Sequence, residues 1–180
     1  MMASIQKKYI GLLGGSFDPA HKGHLGISKI AIKKLKLKKF YWVVTKKNPF
    51  KTKTFYSLNK RIEYAKRITK AQRKIKTIHL DNIIKSSRII DVINYFIKKK
   101  KVKNIYFIIG SDNLIQFHKW KSWKRIVKLV KLIVFSRKGY DRKGMKSTVV
   151  KKYKNRIIFI KNKPISISST QLKNRIKLSI

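Results

Sequence analysis

Gly14-Gly15 separates two apolar stretches of different period, and that change of period constrains the fold more than any other feature of the chain. Ahead of the pair, Tyr9-Ile10-Gly11-Leu12-Leu13 is a short apolar run, which predicts a buried strand. Behind it, the stretch from Leu25 to Leu35 places apolar residues at 27, 30, 31 and 35, which is helical spacing. The segment therefore reads as a strand, a glycine turn and a helix. The turn is Gly14-Gly15-Ser16-Phe17-Asp18-Pro19-Ala20-His21-Lys22-Gly23-His24.

That layout suits a phosphate. Glycines let backbone N–H groups approach a ligand with no Cβ in the way. A helix start adds unpaired N–H groups and a partial positive charge. His21 and His24 stand three apart, so they share one face of the first helical turn. Imidazoles there can donate hydrogen bonds to phosphate oxygens as charge builds in a transition state. The turn is neither a P-loop, since it lacks Gly-Lys-Ser/Thr, nor Gly-x-Gly-x-x-Gly. A plain helix cap with two exposed histidines is the competing reading. A zinc site is disfavoured by four histidines, no cysteine and no third ligand at metal spacing.

Further on, strands are expected at Phe40–Val44, Lys76–Leu80, Asn104–Gly110, Leu129–Phe135 and Arg156–Ile160. Helices are expected at Leu58–Thr69, capped by Ser57, at Ile89–Ile97, after Phe117–Trp123, within Tyr140–Asn155, and from Ser168 to Lys177. Strands alternate with helices and no tight hairpin signal appears. The expected fold class is α/β: a doubly wound parallel sheet of the Rossmann-like type, in one domain spanning 1–180. In such sheets ligands sit at the carboxyl ends of the strands. The marked loops Gly14–His24, Gly110–Trp123 and Arg137–Gly139 fall there.

Net charge is +42. Such an excess is one signature of nucleic-acid binding. Yet lysine outnumbers arginine 39 to 9, isoleucine occurs 28 times and alanine 5 times, and the lysines run from end to end. That skew points to AT-rich coding rather than a basic patch, so nucleic acid is not the expected partner. The segment from Met1 to Lys8 has no apolar core of a signal peptide, and no run approaches a membrane span. A soluble cytoplasmic protein without a membrane partner is expected, and a homo-oligomer is left open.

The turn resembles the His-x-Gly-His signature of the nucleotidyltransferase superfamily, with Gly-Gly-Ser-Phe-Asp-Pro in front of it. Two branches share that signature: pantetheine-phosphate adenylyltransferases and nicotinate-nucleotide adenylyltransferases. Phe107-Ile108-Ile109-Gly110-Ser111-Asp112-Asn113-Leu114, then Trp120, then Arg137-x-Gly139, is similar to the second branch. So is Ile167-Ser168-Ser169-Thr170-Gln171-Leu172 near the end. The resemblance implies transfer of an adenylyl group from ATP to nicotinate mononucleotide, with Mg2+ carried on the ATP phosphates and no metal site on the protein. It implies His21 and His24 as catalytic groups. ATP would be bound by Gly14, Gly15, Ser16, Phe17, His21, His24, Gly110, Asp112, Ser168, Ser169, Thr170 and Lys173. Nicotinate mononucleotide would be bound by Ser16, Lys51, Trp120 and Arg137.

The residue types agree with that chemistry. A cationic pyridine ring can stack on an aromatic face such as Trp120. Its carboxylate and phosphate call for arginine or backbone N–H groups. Asp112, after a strand and a glycine, can hold ribose hydroxyls. The chain departs from the family in places. Lys173 stands where an arginine is usual, with Arg175 two residues on; Lys138 replaces a proline; Ile89 stands where a threonine is usual.

Overall fold

A computed structural model describes residues 9–46 and 53–162. The readings at Lys51, Ser168, Ser169, Thr170 and Lys173 lie outside the described residues.

The strands are β1 (Ile10–Gly15), β2 (Lys39–Val44), β3 (Ile75–Ile78), β4 (Ile105–Gly110), β5 (Lys131–Phe135) and β6 (Ile157–Ile160). Between them run α1 (Lys22–Lys34), α2 (Leu58–Thr69), α3 (Asp81–Ile84), α4 (Ile89–Lys98), α5 (Ser111–Gln116), α6 (Trp123–Leu129), α7 (Asp141–Met145) and α8 (Thr148–Tyr153). All strand pairings among the described residues are parallel, in the order β3-β2-β1-β4-β5-β6. The order reverses between β1 and β4. That switch point is where a doubly wound sheet opens a crevice at its carboxyl edge.

The apolar runs follow from burial on both faces. Leu12, Phe107 and Leu132 stand abreast, as do Leu13, Ile108 and Ile133. The first row lies in a core that also takes Ile90, Ile93 and Phe96 of α4 and Ile126 of α6. The second row lies in a core with Phe40, Trp42, Ala31 of α1 and Ala65 of α2.

The sequence reading meets the structure at most elements and departs from it in several places, among them β3, which ends at Ile78 and not at Leu80. Helix α5 begins at Ser111, directly after β4, where the sequence suggested only a strand end. Leu129 closes α6 instead of opening β5, because Val130 needs its N–H on Ile126 of that helix before the chain extends. The short helix α3 carries only four residues, too few for a periodic signal.

Candidate active site

The crevice is built first by local chemistry at the amino end of α1. His21 is the N-cap, in extended backbone (φ −152°), and its Nδ1 accepts the Gly23 N–H at 3.1 Å. His24 reaches back, and its Nδ1 accepts the His21 N–H at 3.3 Å. This is a capping box made by two imidazoles. In each ring the acceptor nitrogen is thereby Nδ1, which leaves Nε2 as the protonated nitrogen. The helix-cap reading and the catalytic reading are thus one geometry: the cap itself makes each ring an N–H donor through Nε2.

The ring centroids of His21 and His24 are 3.9 Å apart. Phe17 lies 4.9 Å from His24 on another side and stacks on Trp42 at 5.1 Å. Trp42 in turn donates to Ser28 Oγ at 2.8 Å, and that hydroxyl donates to the His24 carbonyl at 2.7 Å. His24 is therefore held by its backbone and by three ring neighbours, His21, Phe17 and Trp42. Burial first, and then the positive charge of Arg137, push the His21 pKa from 6.5 down to about 4. At neutral pH its ring is uncharged and donates from Nε2.

Arg137, just after β5, lies near enough to His21 for its charge to act on that ring. Arg137 is paired through Nη1 with Asp112 Oδ2 at 2.7 Å. Gly110 makes room for the pair: a Cβ there would stand 2.4 Å from Asp112 Oδ1 and 3.9 Å from Arg137 Cδ. Asp112 Oδ2 accepts from Arg137, and its Oδ1 accepts from Asn113 Nδ2 at 3.4 Å. The Arg137 N–H goes to Ser111 Oγ at 3.1 Å and Asp141 Oδ1 at 2.9 Å. Asp141 also accepts from Ser136 Oγ. Burial works to raise its pKa, but hydrogen bonds from Ser111, Ser136 and the Arg137 N–H, with the charge of Lys161, carry it below the usual carboxylate value.

Trp120 is half-buried, 4.9 Å from Phe117 and 6.1 Å from Phe107, ring to ring. It therefore packs on the core with part of its surface. Phe107 links it to the glycine turn: a Cβ on Gly14 would stand 3.8 Å from Phe107 Cε2 and 3.4 Å from Ile89 Cδ1. Trp123 turns away and meets Tyr153 edge-on at 5.7 Å.

The structure thus brings together Gly14, Gly15, Phe17, His21 and His24 from the first turn with Gly110, Asp112 and Arg137 from two others. Ser16 is buried. Three residues escaped the sequence reading. Asp18, also buried, accepts the Phe55 and Tyr56 N–H groups at 2.8 and 2.9 Å. Asp141 joins the turns after β4 and β5. Arg61 lies on the inward stripe of α2 with Ala65 and Thr69. The signal for Arg61 was present: a charge at i with small residues at i+4 and i+8 belongs to the buried face, not the solvent face. Among the described residues no three His, Cys, Asp or Glu side chains stand close enough to hold a metal ion.

A parallel sheet whose switch point carries a glycine turn and a histidine-capped helix defines a nucleotidyltransferase fold. The chain matches the model of the cytidylyltransferase-like family over residues 12–175. It is 50% identical over 93% of both chains to a Pelagibacter ubique protein named "Probable nicotinate-nucleotide adenylyltransferase". It is 34% identical to a Clostridium novyi protein of the same name, over 93% of this chain and 86% of the other. A solved structure of Plasmodium falciparum nicotinic acid mononucleotide adenylyltransferase complexed with NaAD shares the fold, with a TM-score of 0.73 at 17% identity, over 93% of this chain and 83% of that one. The chain belongs to the nicotinate-nucleotide adenylyltransferase family.

Proposed function

We propose that this protein, as one nucleotidyltransferase domain over 1–180, joins ATP and nicotinate mononucleotide to give nicotinate adenine dinucleotide and pyrophosphate, a step of NAD biosynthesis. An oxygen of the 5′-phosphate of nicotinate mononucleotide attacks the α-phosphorus of ATP. The new P–O bond forms as the bond from that phosphorus to the β-phosphate bridging oxygen breaks. The electron pair leaves with pyrophosphate, so the protein supplies no nucleophile. Its work is alignment and charge stabilisation.

His24 donates to the α-phosphate and His21 to the β- and γ-oxygens, each through Nε2–H. The turn of Gly14, Gly15, Ser16 and Phe17 supplies close approach. Asp112 takes the ribose hydroxyls. Ser168, Ser169, Thr170 and Lys173 take further ATP phosphate contacts, and Lys51 with Lys173 neutralises departing pyrophosphate. Arg137 meets an anionic group of nicotinate mononucleotide, Trp120 stacks on its ring, and Ser16 and Lys51 complete that side. A divalent metal accompanies ATP in this family. We assign it as Mg2+ riding on the phosphates, an ion that keeps most of its ligands as water and substrate oxygen.

The observation that supports this reading best is the double-histidine cap, which places two imidazoles, their Nδ1 atoms taken by backbone N–H groups, at a helix start beside Gly14-Gly15. The test is pyrophosphate release from ATP and Mg2+ with three acceptors in parallel: nicotinate mononucleotide, nicotinamide mononucleotide and phosphopantetheine. Release well above the others with the nicotinate acceptor is expected. Release with phosphopantetheine alone would keep the histidine chemistry and overturn the acceptor. No helix among the described residues is long and apolar enough to cross a membrane.

A further inference from the structure

A cation on the inward face of a helix is costly to bury unless its donors are all met. Arg61 is 1% exposed. Its donors meet backbone carbonyls from three separate segments. Nη1 donates to Ser16 O at 2.7 Å and to Thr45 O at 2.8 Å. Nε donates to Tyr56 O at 3.2 Å and Nη2 to Lys46 O at 3.3 Å. A planar fork of five N–H donors can span such a set; an ammonium cannot.

The Ser16 contact reaches the glycine turn itself. A trans peptide points its C=O and the following N–H in opposite directions. With Ser16 O drawn inward to Arg61, the Phe17 N–H faces away from Arg61. Phe17 itself holds a left-handed backbone, φ 46°, which a bulky side chain disfavours. The same logic operates at β2: Thr45 O turns to Arg61, and the following Lys46 N–H turns the other way to Asp81 Oδ2 at 2.7 Å.

We propose that Arg61 is a positioning residue for anionic substrate: it fixes the Ser16–Phe17 peptide so that its N–H faces the phosphate-binding turn, and it ties that turn to the carboxyl end of β2 and to the chain entering α2. The inference rests on the reading that the Gly14–His24 turn receives ATP phosphates. Arg61 makes no contact with ligand in this role. It acts by keeping a disfavoured backbone from relaxing.

The test compares wild type with Arg61→Lys and Arg61→Gln, by titration calorimetry with inorganic pyrophosphate and Mg2+, by steady-state kinetics with ATP and nicotinate mononucleotide, and by thermal melting. Arg61→Lys keeps a charge but not the fork. It is expected to fold, to bind pyrophosphate about tenfold to a hundredfold more weakly, and to raise KM for ATP more than it lowers kcat, the scale on which a small misplacement of a binding group acts. Arg61→Gln is expected to fall further on both measures; should it not fold, Arg61→Lys decides. A lower Tm with unchanged pyrophosphate affinity and unchanged kcat/KM would reduce Arg61 to a structural residue and overturn the proposal. Wild type that binds pyrophosphate but spares nicotinate mononucleotide would overturn the acceptor assignment alone, and the affinity ratio between variants would still decide the role of Arg61. Wild type that does not bind pyrophosphate would overturn the phosphate reading and this inference with it.

Discussion

Arg137 and Asp112, 25 positions apart in the chain, close on each other at 2.7 Å across the carboxyl ends of β4 and β5. Their side chains are 49% and 25% exposed, so the pair contributes only about 0–1 kcal/mol to folding. In the proposed mechanism each residue meets a substrate group, so this pair links the two substrate sides of the candidate site.

Asp112→Asn removes the charge and keeps the shape. The melting temperature is expected to move by a few degrees at most, as for other exposed pairs. KM for ATP is expected to rise by about tenfold as the ribose loses a charged acceptor. Kinetics with ATP varied at saturating acceptor check this; an unchanged KM would remove Asp112 from the nucleotide site.

In the proposed mechanism His24→Ala deletes a donor to the transition state. A fall in kcat of about 100-fold or more is expected, the scale of losing one such donor. Pyrophosphate release under saturating substrates measures it. Turnover like wild type would mean that the histidine pair only caps the helix.

The pH response separates two groups. The His21 pKa is lowered from 6.5 to about 4 in the folded protein. Its neutral form is favoured by folding, so that stability is full above 6.5 and is lost as pH falls from 6.5 through about 4. Asp141 also has a lowered pKa, so its share is present above the ordinary carboxylate value and is lost only at still lower pH. His21→Asn keeps an N-cap acceptor but cannot titrate. Melting between pH 7 and 4 is expected to drop less steeply in His21→Asn than in wild type; parallel curves would refute the buried neutral state of His21.

Trp120 packs on the core and is proposed to stack on the acceptor ring, two roles that substitution can separate. Trp120→Ala is expected to destabilise by about 1–3 kcal/mol, below the full core value because the ring is only partly covered. It is expected to raise KM for nicotinate mononucleotide by roughly 5- to 100-fold, the range for losing a stack on an aromatic face. KM for ATP should stay as it is. Trp120→Phe should restore most of the acceptor affinity. Equal rises in both KM values would place the ring in the scaffold and not in the acceptor site.

Much of the fold and half of the site were legible in the chain. The strand, glycine turn and helix around Gly14-Gly15 are near neighbours in sequence, and their chemistry is local: spacing sets the period, and His21 and His24 cap a helix that starts beside them. Ser57 as cap of α2 was legible for the same reason, accepting the Lys60 N–H at 3.4 Å. The apolar strands announced a sheet covered on both faces, since only such a sheet needs runs like Tyr106–Ile109 without a polar alternate.

What the sequence determined by itself is what three to eleven consecutive residues can enforce: the period of each element, the cap, and the residue types able to meet phosphate. What only the tertiary structure decided is which distant turns share a crevice. The order β3-β2-β1-β4-β5-β6 sets β1 beside β4 and β4 beside β5, and so delivers His21, Asp112 and Arg137 to one edge. The same packing lays α2 against the glycine turn and makes a charged residue, Arg61, the link between carbonyls of three segments. Such contacts have no period and no fixed spacing, because they exist only after distant backbone groups are buried together and must find partners.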